Sequence, residues 1–405
     1  MPGRRLSVAI AVAFAAASVC ASAQSIRPTY QFPAMPEGSG PASIQMGGSP
    51  FYFAPYVGVA VGRDDNVLNA SDNRRASNLY IVSPGFKIDA RSAQSVFQLG
   101  YAAEIGRYSS SEDDNYTDHV LRGQFDIALD RRNFLRVGAD YLRDHDPRGL
   151  TDRPVSTEPD KFRITTPSVT YAFGAPGAAG RVEAYYSDLR KRYINNRATT
   201  ALGDRSTKEF GGALYIRVAP KTYAVAEVRG TRIRYDQSSQ LDADERRYYA
   251  GLSWEATATT TGIVKVGRFQ RDFDSPGVPD FSSFAWEAAI TWAPRTYSTF
   301  AFSTSRFSTE PTGLGTFIVS DQAGVTWTHS WTSYVQTAVD LRYHKDNYQG
   351  FSRKDDTMAL GLKVGYKFRR WLTLGAEYTH TKRDSTFDGA EYDKNLYLLT
   401  VTASM

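Results

Sequence analysis

Three groups of residues in this chain have the types and spacing to do chemistry. In "GRDDNV", Asp64, Asp65 and Asn66 stand side by side and offer oxygens to a hard cation or to a turn. A calcium loop needs further oxygens at alternate positions and a glycine, as in D-x-D-x-D-G, and none follow. The expectation is a loop entrance with Asp64 and Asp65 hydrated and Asn66 in a turn, weak cation binding being the alternative. In "RDHDPR", His145 lies between Asp144 and Asp146, an acid–imidazole pairing able to move protons. Neighbours in an extended loop point apart, however, and no G-x-S-x-G elbow lies near. With no P-loop and no H-E-x-x-H, the reading is no enzyme, no cofactor and no metal site. The third group is the largest, and its members are polar residues set between apolar ones. They are the acids Glu104, Asp126, Asp140, Glu183, Glu227, Glu287, Asp340 and Glu377, and the bases Arg122, Arg136, Arg217, Arg229, Lys265, Arg342, Lys363 and Lys367. Gathered on one surface, they would hydrogen-bond a polar solute such as a sugar, and Tyr185 and Tyr215 could stack on a sugar face.

Strands are what would gather them. In "VFQLGYAAEI", Phe97, Leu99, Tyr101, Ala103 and Ile105 share one face, while Gln98, Gly100 and Glu104 share the other. "LRGQFDIAL", "LRVGADY", "VQTAVDLRYH" and "MALGLKVGYKF" repeat this period of two. Runs of about ten residues recur from Phe51 to the C-terminus, which is the signature of a transmembrane β-barrel. The breaks between runs alternate. Short ones such as "RSAQ", "DRRN" and "APKT" exchange with long hydrophilic ones such as "RDHDPRGLTDRPVSTEPDK". Short periplasmic turns and long outer loops give that alternation, and the breaks separate about 18 strands. A water-soluble β-sandwich would have no reason for it. An Arg or Lys facing lipid at mid-bilayer costs about 2–4 kcal/mol, so the charged set is expected to face the lumen. Barrels of this size leave an aqueous channel.

Composition agrees. The chain holds 25 Tyr and 22 Phe, yet 22% of its residues are charged. Its start, "MPGRRLSVAIAVAFAAASVCASAQ", has Arg4 and Arg5, an apolar run from Leu6 to Val19, and Ala21-Ser22-Ala23 before Gln24. It reads as a signal peptide over residues 1–23, too short to remain as a membrane helix. Cys20 is the only cysteine, so the mature chain would have no disulfide and no thiol nucleophile. Without Arg4 and Arg5, the basic residues nearly balance the 43 acidic ones. That balance speaks against nucleic acid as a partner. Residues 24–50, rich in Pro, Gly and Ser, read as a flexible periplasmic segment, and 51–405 as the barrel, with both termini periplasmic.

The first strands carry a resemblance. "DDNV" (Asp64, Asp65, Asn66) followed by "YIVSPGF" (with Ser83, Pro84 and Gly85) resembles the outer-membrane beta-barrel porin-2 family, including the EpsL-type barrels encoded with exopolysaccharide biosynthesis genes. The resemblance implies an outer-membrane conduit, or an accessory to one, for secreting a polysaccharide. It further implies an exopolysaccharide chain, a periplasmic polysaccharide-export lipoprotein and an inner-membrane co-polymerase as partners, beside outer-membrane lipid, lipopolysaccharide and the barrel assembly machinery. Such barrels usually end in Phe or Trp, whereas Met405 stands here after "NLYLLTVTAS". A general diffusion porin and a non-conducting scaffold or surface-binding barrel are the alternatives. The basic stretch Asp188–Lys208, read as the longest outer loop, is expected to narrow the channel.

Overall fold

The computed structural model of the protein describes residues 43–404, apart from 155, 176 and 256–258. The expected signal peptide, most of the segment that follows it, and Met405 lie outside the described residues. Eighteen strands run in succession: β1 (Phe51–Asp64), β2 (Ser77–Arg91), β3 (Ser95–Tyr108), β4 (Tyr116–Ala128), β5 (Asn133–Asp146), β6 (Asp160–Phe173), β7 (Gly180–Tyr193), β8 (Arg205–Ala219) and β9 (Thr222–Tyr235), then β10 (Ala243–Trp254), β11 (Thr260–Phe273), β12 (Phe281–Arg295), β13 (Ser298–Thr309), β14 (Phe317–Ser330), β15 (Val335–Gln349), β16 (Lys354–Arg369), β17 (Leu372–Ser385) and β18 (Tyr392–Ser404). Each pairs antiparallel with the next. β18 pairs with β1 from Leu396↔Asp64 to Ser404↔Tyr56, so the sheet closes and the barrel has no free long edge. A two-residue strand, Ile44–Gln45, adds to the start of β1.

The period of two sorts every strand into two faces. In β16 the exposed Met358, Leu362, Val364, Tyr366 and Phe368 lie on one face. The run from Met358 to Phe368 has the length of about 9–11 residues that a tilted strand needs to cross a bilayer. Val57, Val59 and Val61 of β1 and Val137 and Tyr141 of β5 continue the same band. In water so large an apolar surface would aggregate; against lipid it is the stabilising contact. Tyr297, Trp331, Tyr334 and Trp371 stand exposed at the short-turn end, where a belt of aromatic rings marks a membrane interface. No helix of the described residues is long and apolar enough to cross a membrane.

The two family-like motifs have local structural reasons. A Cβ on Gly85 would lie 2.4 Å from the ring of Tyr56, its register partner on β1, so only glycine lets that ring lie flat on β2. Ser83 is buried on the same face, and Pro84 interrupts the β2–β3 register between Val82 and Gly85. The acidic doublet differs from expectation. Asp64 is 1% exposed, not hydrated, and its Oδ2 lies 2.8 Å from Lys394 Nζ. Asp65 accepts hydrogen bonds from the Asn395 backbone and side-chain nitrogens, both at 2.7 Å. Asn66 donates to the carbonyls of Ala70 and Asp393. Three consecutive residues thus clasp three consecutive residues of the last strand. The partners come from the far end of the chain, which is why local sequence suggested water, a turn or a weakly held cation.

Candidate functional site: the lumen and its bridged mouth

Contacts between strands that are not neighbours identify the concave face. Arg229 Nη1 on β9 lies 3.0 Å from Glu287 Oε1 on β12. Lys265 Nζ on β11 lies 2.6 Å from Glu227 on β9 and 2.7 Å from Glu287. Strands are spaced about 4.8 Å apart, so side chains two or three strands apart meet only inside the curve. The four charges and Tyr249 are buried together there. Tyr185 donates to Glu227 (3.1 Å) and accepts from Arg229 Nε (3.0 Å). Tyr215 donates to Glu183 (3.3 Å), and the Arg181 guanidinium covers its ring at 4.3 Å. That face of Tyr215 is therefore taken, and Tyr185 is bound into the ionic network. Neither is the open platform for a sugar that the sequence suggested.

Most other residues of the charged set pair along the wall. Arg136 forks onto Asp126 (2.5 and 2.7 Å), a bidentate pair across the register Asp126↔Arg136. Arg342 meets Asp340 (2.6 Å), Lys363 meets Glu377 (2.5 Å), and Arg122 stands 3.9 Å from Asp140. Glu104 is buried and accepts from Tyr116 (2.6 Å), while Arg217 donates to the Gly177 carbonyl (2.6 Å). Lys367 is exposed near the short-turn end. The structure gathers most of the set in two kinds of place, a dense buried knot on β9–β12 and separate ladders of opposite charge elsewhere, and leaves Glu104, Arg217 and Lys367 outside both.

Two elements at the long-loop end turn inward. The β12–β13 register runs only from Trp286↔Arg306 to Arg295↔Ser298. Beyond Arg306 the β13–β14 hairpin leaves β12 and lies over the inner wall. Ser308 bonds Glu245 on β10. Glu310 pairs with Arg271 on β11 (2.8 Å) and accepts from Tyr235 on β9 (2.6 Å). Phe317 packs on Phe281 (5.1 Å) and Phe273 (5.8 Å), forming an apolar cluster with Tyr249, Phe269 and Ala285. Burial alone would lift the Glu310 carboxyl, but Arg271 beside it holds it below the ordinary carboxylate range.

The second element is the loop 147–159, between β5 and β6. Arg148 pairs with Asp114 (2.5 Å), and its carbonyl accepts from Asn69 (3.0 Å). The Gly149 carbonyl accepts from Arg383 on β17 (3.1 Å). Asp152 lies 2.5 Å from Arg353, in the β15–β16 connection, and accepts from Thr312 in the hairpin tip (3.1 Å). Arg153 donates to the Thr312 carbonyl (3.0 Å). Asp152 and Arg353 are almost wholly buried. β5–β6 and β15–β16 stand on opposite sides of the circle, so the loop crosses the mouth and meets the hairpin there.

The stretch Asp188–Lys208 does not do this. β7 extends to Tyr193 and β8 begins at Arg205, so both ends of the stretch are strand. What remains holds a one-turn helix, Arg197–Thr200, and rests on its neighbours. Asn195 and Asn196 donate to Pro159 and Asp160, and the Leu202 carbonyl accepts from Ser238. The polar residues mistaken for loop are the outer ends of strands, above the apolar band. His145 also differs from its solvated reading. It is buried, stacks on Tyr116 (4.5 Å between centroids) and lies 3.0 Å from Asp118 on β4, with Asp144 at 3.8 Å. Asp118 comes from the adjacent strand, so spacing along the chain gave no sign of this group.

A sequence profile of the family described as "Putative beta-barrel porin 2" matches residues 38–405. Among curated proteins, none matches the chain. Three solved structures illustrate its neighbours in shape. The outer membrane protein OpdK of Pseudomonas aeruginosa is 11% identical, with a TM-score of 0.46 over 87% of this chain and 99% of that one. OccK3 (OpdO) of the same organism is 13% identical, with a TM-score of 0.46 over 87% and 95%. The FrpB iron transporter of Neisseria meningitidis is 8% identical, with a TM-score of 0.47 over 87% and 81%.

Proposed function

Because the chain belongs to this beta-barrel porin family, we propose that it is a gated conduit which carries exopolysaccharide through the outer membrane, with its long loops outside and both termini in the periplasm. The observation that supports this most is the way the mouth is bridged. Polar ties, Asp152–Arg353 and Glu310–Arg271, hold the two inward elements, and ties of that kind can be exchanged for contacts with a hydroxyl-rich chain. A general diffusion porin, the second reading, needs a standing aperture, and a mouth crossed by a loop and a hairpin fits it less well. The lumen offers both charge signs in ladders, which suits a long polar solute better than a small ion of one sign. A periplasmic export lipoprotein would deliver the polymer to the short-turn end. The membrane band binds lipid, and the barrel assembly machinery would insert the chain.

Two measurements test the proposal together. Deleting the gene should abolish secreted polysaccharide while the polymer accumulates in the periplasm, and the purified barrel should show low resting conductance in planar bilayers. Normal secretion with a steady high conductance would favour the diffusion porin. Normal secretion with no conductance under any condition would favour the scaffold.

A further inference from the structure

The outward face of the long-loop rim carries a row of arginines in direct register. Arg143 on β5 stands opposite Arg163 on β6, and Arg163 stands opposite Arg192 on β7. By the alternation along their strands they share the lipid-facing side with Val137 and Tyr141, Val169 and Tyr171, and Val182 and Tyr186. Like charges placed directly across strands repel. Elsewhere on this rim the arginines meet carboxylates: Arg234 with Asp244 (2.9 Å), Arg246 with Asp272 (3.1 Å) and Arg306 with Asp321 (2.5 Å). Arg192 has Asp236 at 2.9 Å. Arg143 and Arg163, both exposed, have no ion pair or hydrogen bond among the described residues.

We propose that Arg143 and Arg163 bind the phosphates of a phosphorylated glycolipid of the outer leaflet, beside Arg192, which Asp236 and the carbonyls of Lys191 and Arg205 already hold. The charge calls for an anion, and the position selects its source. The row lies two residues above Tyr141, on the surface the acyl chains cover, so its ligand carries phosphate directly above hydrocarbon. A planar guanidinium forks onto phosphate oxygens, which suits arginine here better than lysine. A free phosphate would have nothing to hold it at a lipid boundary. The assignment rests on the proposed orientation, with the long loops outside.

The test uses the full mature barrel in detergent, mixed with bisphosphorylated lipid A or with its dephosphorylated form, and the lipid retained after gel filtration is measured. Wild type should retain the bisphosphorylated lipid selectively. R143Q/R163Q should retain about thirtyfold less, the effect expected of two surface arginines facing anionic lipid. R143K/R163K should recover part of the binding. Should the double glutamine variant fail to assemble, judged by heat-modifiable gel mobility, R163Q alone decides. Equal retention by the glutamine variant and wild type overturns the site, and so does displacement of the lipid by inorganic phosphate. Orientation is read separately from D113C, in the β3–β4 loop, with an impermeant maleimide on intact cells. Labelling supports the orientation; selective lipid retention without labelling would keep the two arginines as a phosphate site and overturn its assignment to the outer leaflet.

Discussion

The Asp152→Asn exchange isolates the tie across the mouth. The Asp152 side chain is 1% exposed and that of Arg353 3%. Arg353 also forks onto Asp355 (2.8 and 2.6 Å), so it keeps one carboxylate when Asp152 loses its charge. The loss is therefore smaller than the 3–5 kcal/mol of a stranded buried charge, and nearer the 1.5–3 kcal/mol of one hydrogen bond to a charged group. About 2 kcal/mol corresponds to about a thirtyfold shift between docked and undocked loop. The ties at Arg148 and Arg383 remain, as do the bonds from the residue-152 backbone and from Arg153 to Thr312, so the loop should swing from its near end and leave the hairpin more often rather than always. In planar bilayers, time spent in a high-conductance state should rise by about that factor. Asp188→Asn, which breaks a pair with Arg190 on the outward face, should change nothing. A disulfide in D152C/T312C, made with Cys20 changed to serine, should hold the barrel at low conductance until it is reduced. If D152N assembles and its current traces match wild type, the loop does not govern the opening.

Acid should free the hairpin as well. The Glu310 carboxyl is held down in the docked state, so its contribution is complete above the ordinary carboxylate range and is lost as pH falls through the lowered value. Conductance should rise on acidification, and E310Q should be conductive at neutral pH with that acid rise removed; a pH-independent wild type would contradict this. At the seam, Asp65→Ala removes two hydrogen bonds to Asn395 and should cost about 1–3 kcal/mol, seen as a lower temperature for loss of heat-modifiable mobility. Val137→Arg puts a charge on the lipid face at about 2–4 kcal/mol and should impair insertion, whereas Arg136→Ala beside it should insert normally. Equal damage from both would mean that the faces have been assigned the wrong way round.

The barrel was legible because its signal is local and periodic. Leu135, Val137, Ala139 and Tyr141 alternate with Arg136 and Asp140 within a single strand, and lipid on one side with water on the other demands that alternation. Short and long breaks gave the order of strands for the same reason. What the loops do was not legible. The long break after His145 and the one after Phe307 look alike as polar sequence, and the basic stretch after Asp188 looked more purposeful than either. Their destinations depend on contacts such as Asp152 with Arg353 and Glu310 with Tyr235, between residues far apart in sequence. The lengths of β7 and β8 were misjudged because polar strand ends above the membrane carry no apolar alternation. Tyr215 was read as an open ring because Arg181, which covers it, lies on the preceding strand.

The clasp of Asp64, Asp65 and Asn66 on residues 393–395 bears on how the barrel comes to be closed. Every other strand pair is a hairpin between consecutive segments, but this pair joins residues 330 apart, and its loop-closure entropy is the largest in the fold. β1 is therefore made first, and its edge away from β2 is paired last, an open edge that any other strand could occupy in the meantime. The backbone of an edge accepts many registers, and a slip of one residue would turn each side chain to the wrong face. Only the pairing that sets Leu396 against Asp64 brings Lys394 to the Asp64 carboxylate and Asn395 to Asp65. The clasp acts as a checksum on closure. A circle completed with the wrong offset would leave Asp64 buried without its lysine, and such a barrel should reopen before it is sealed.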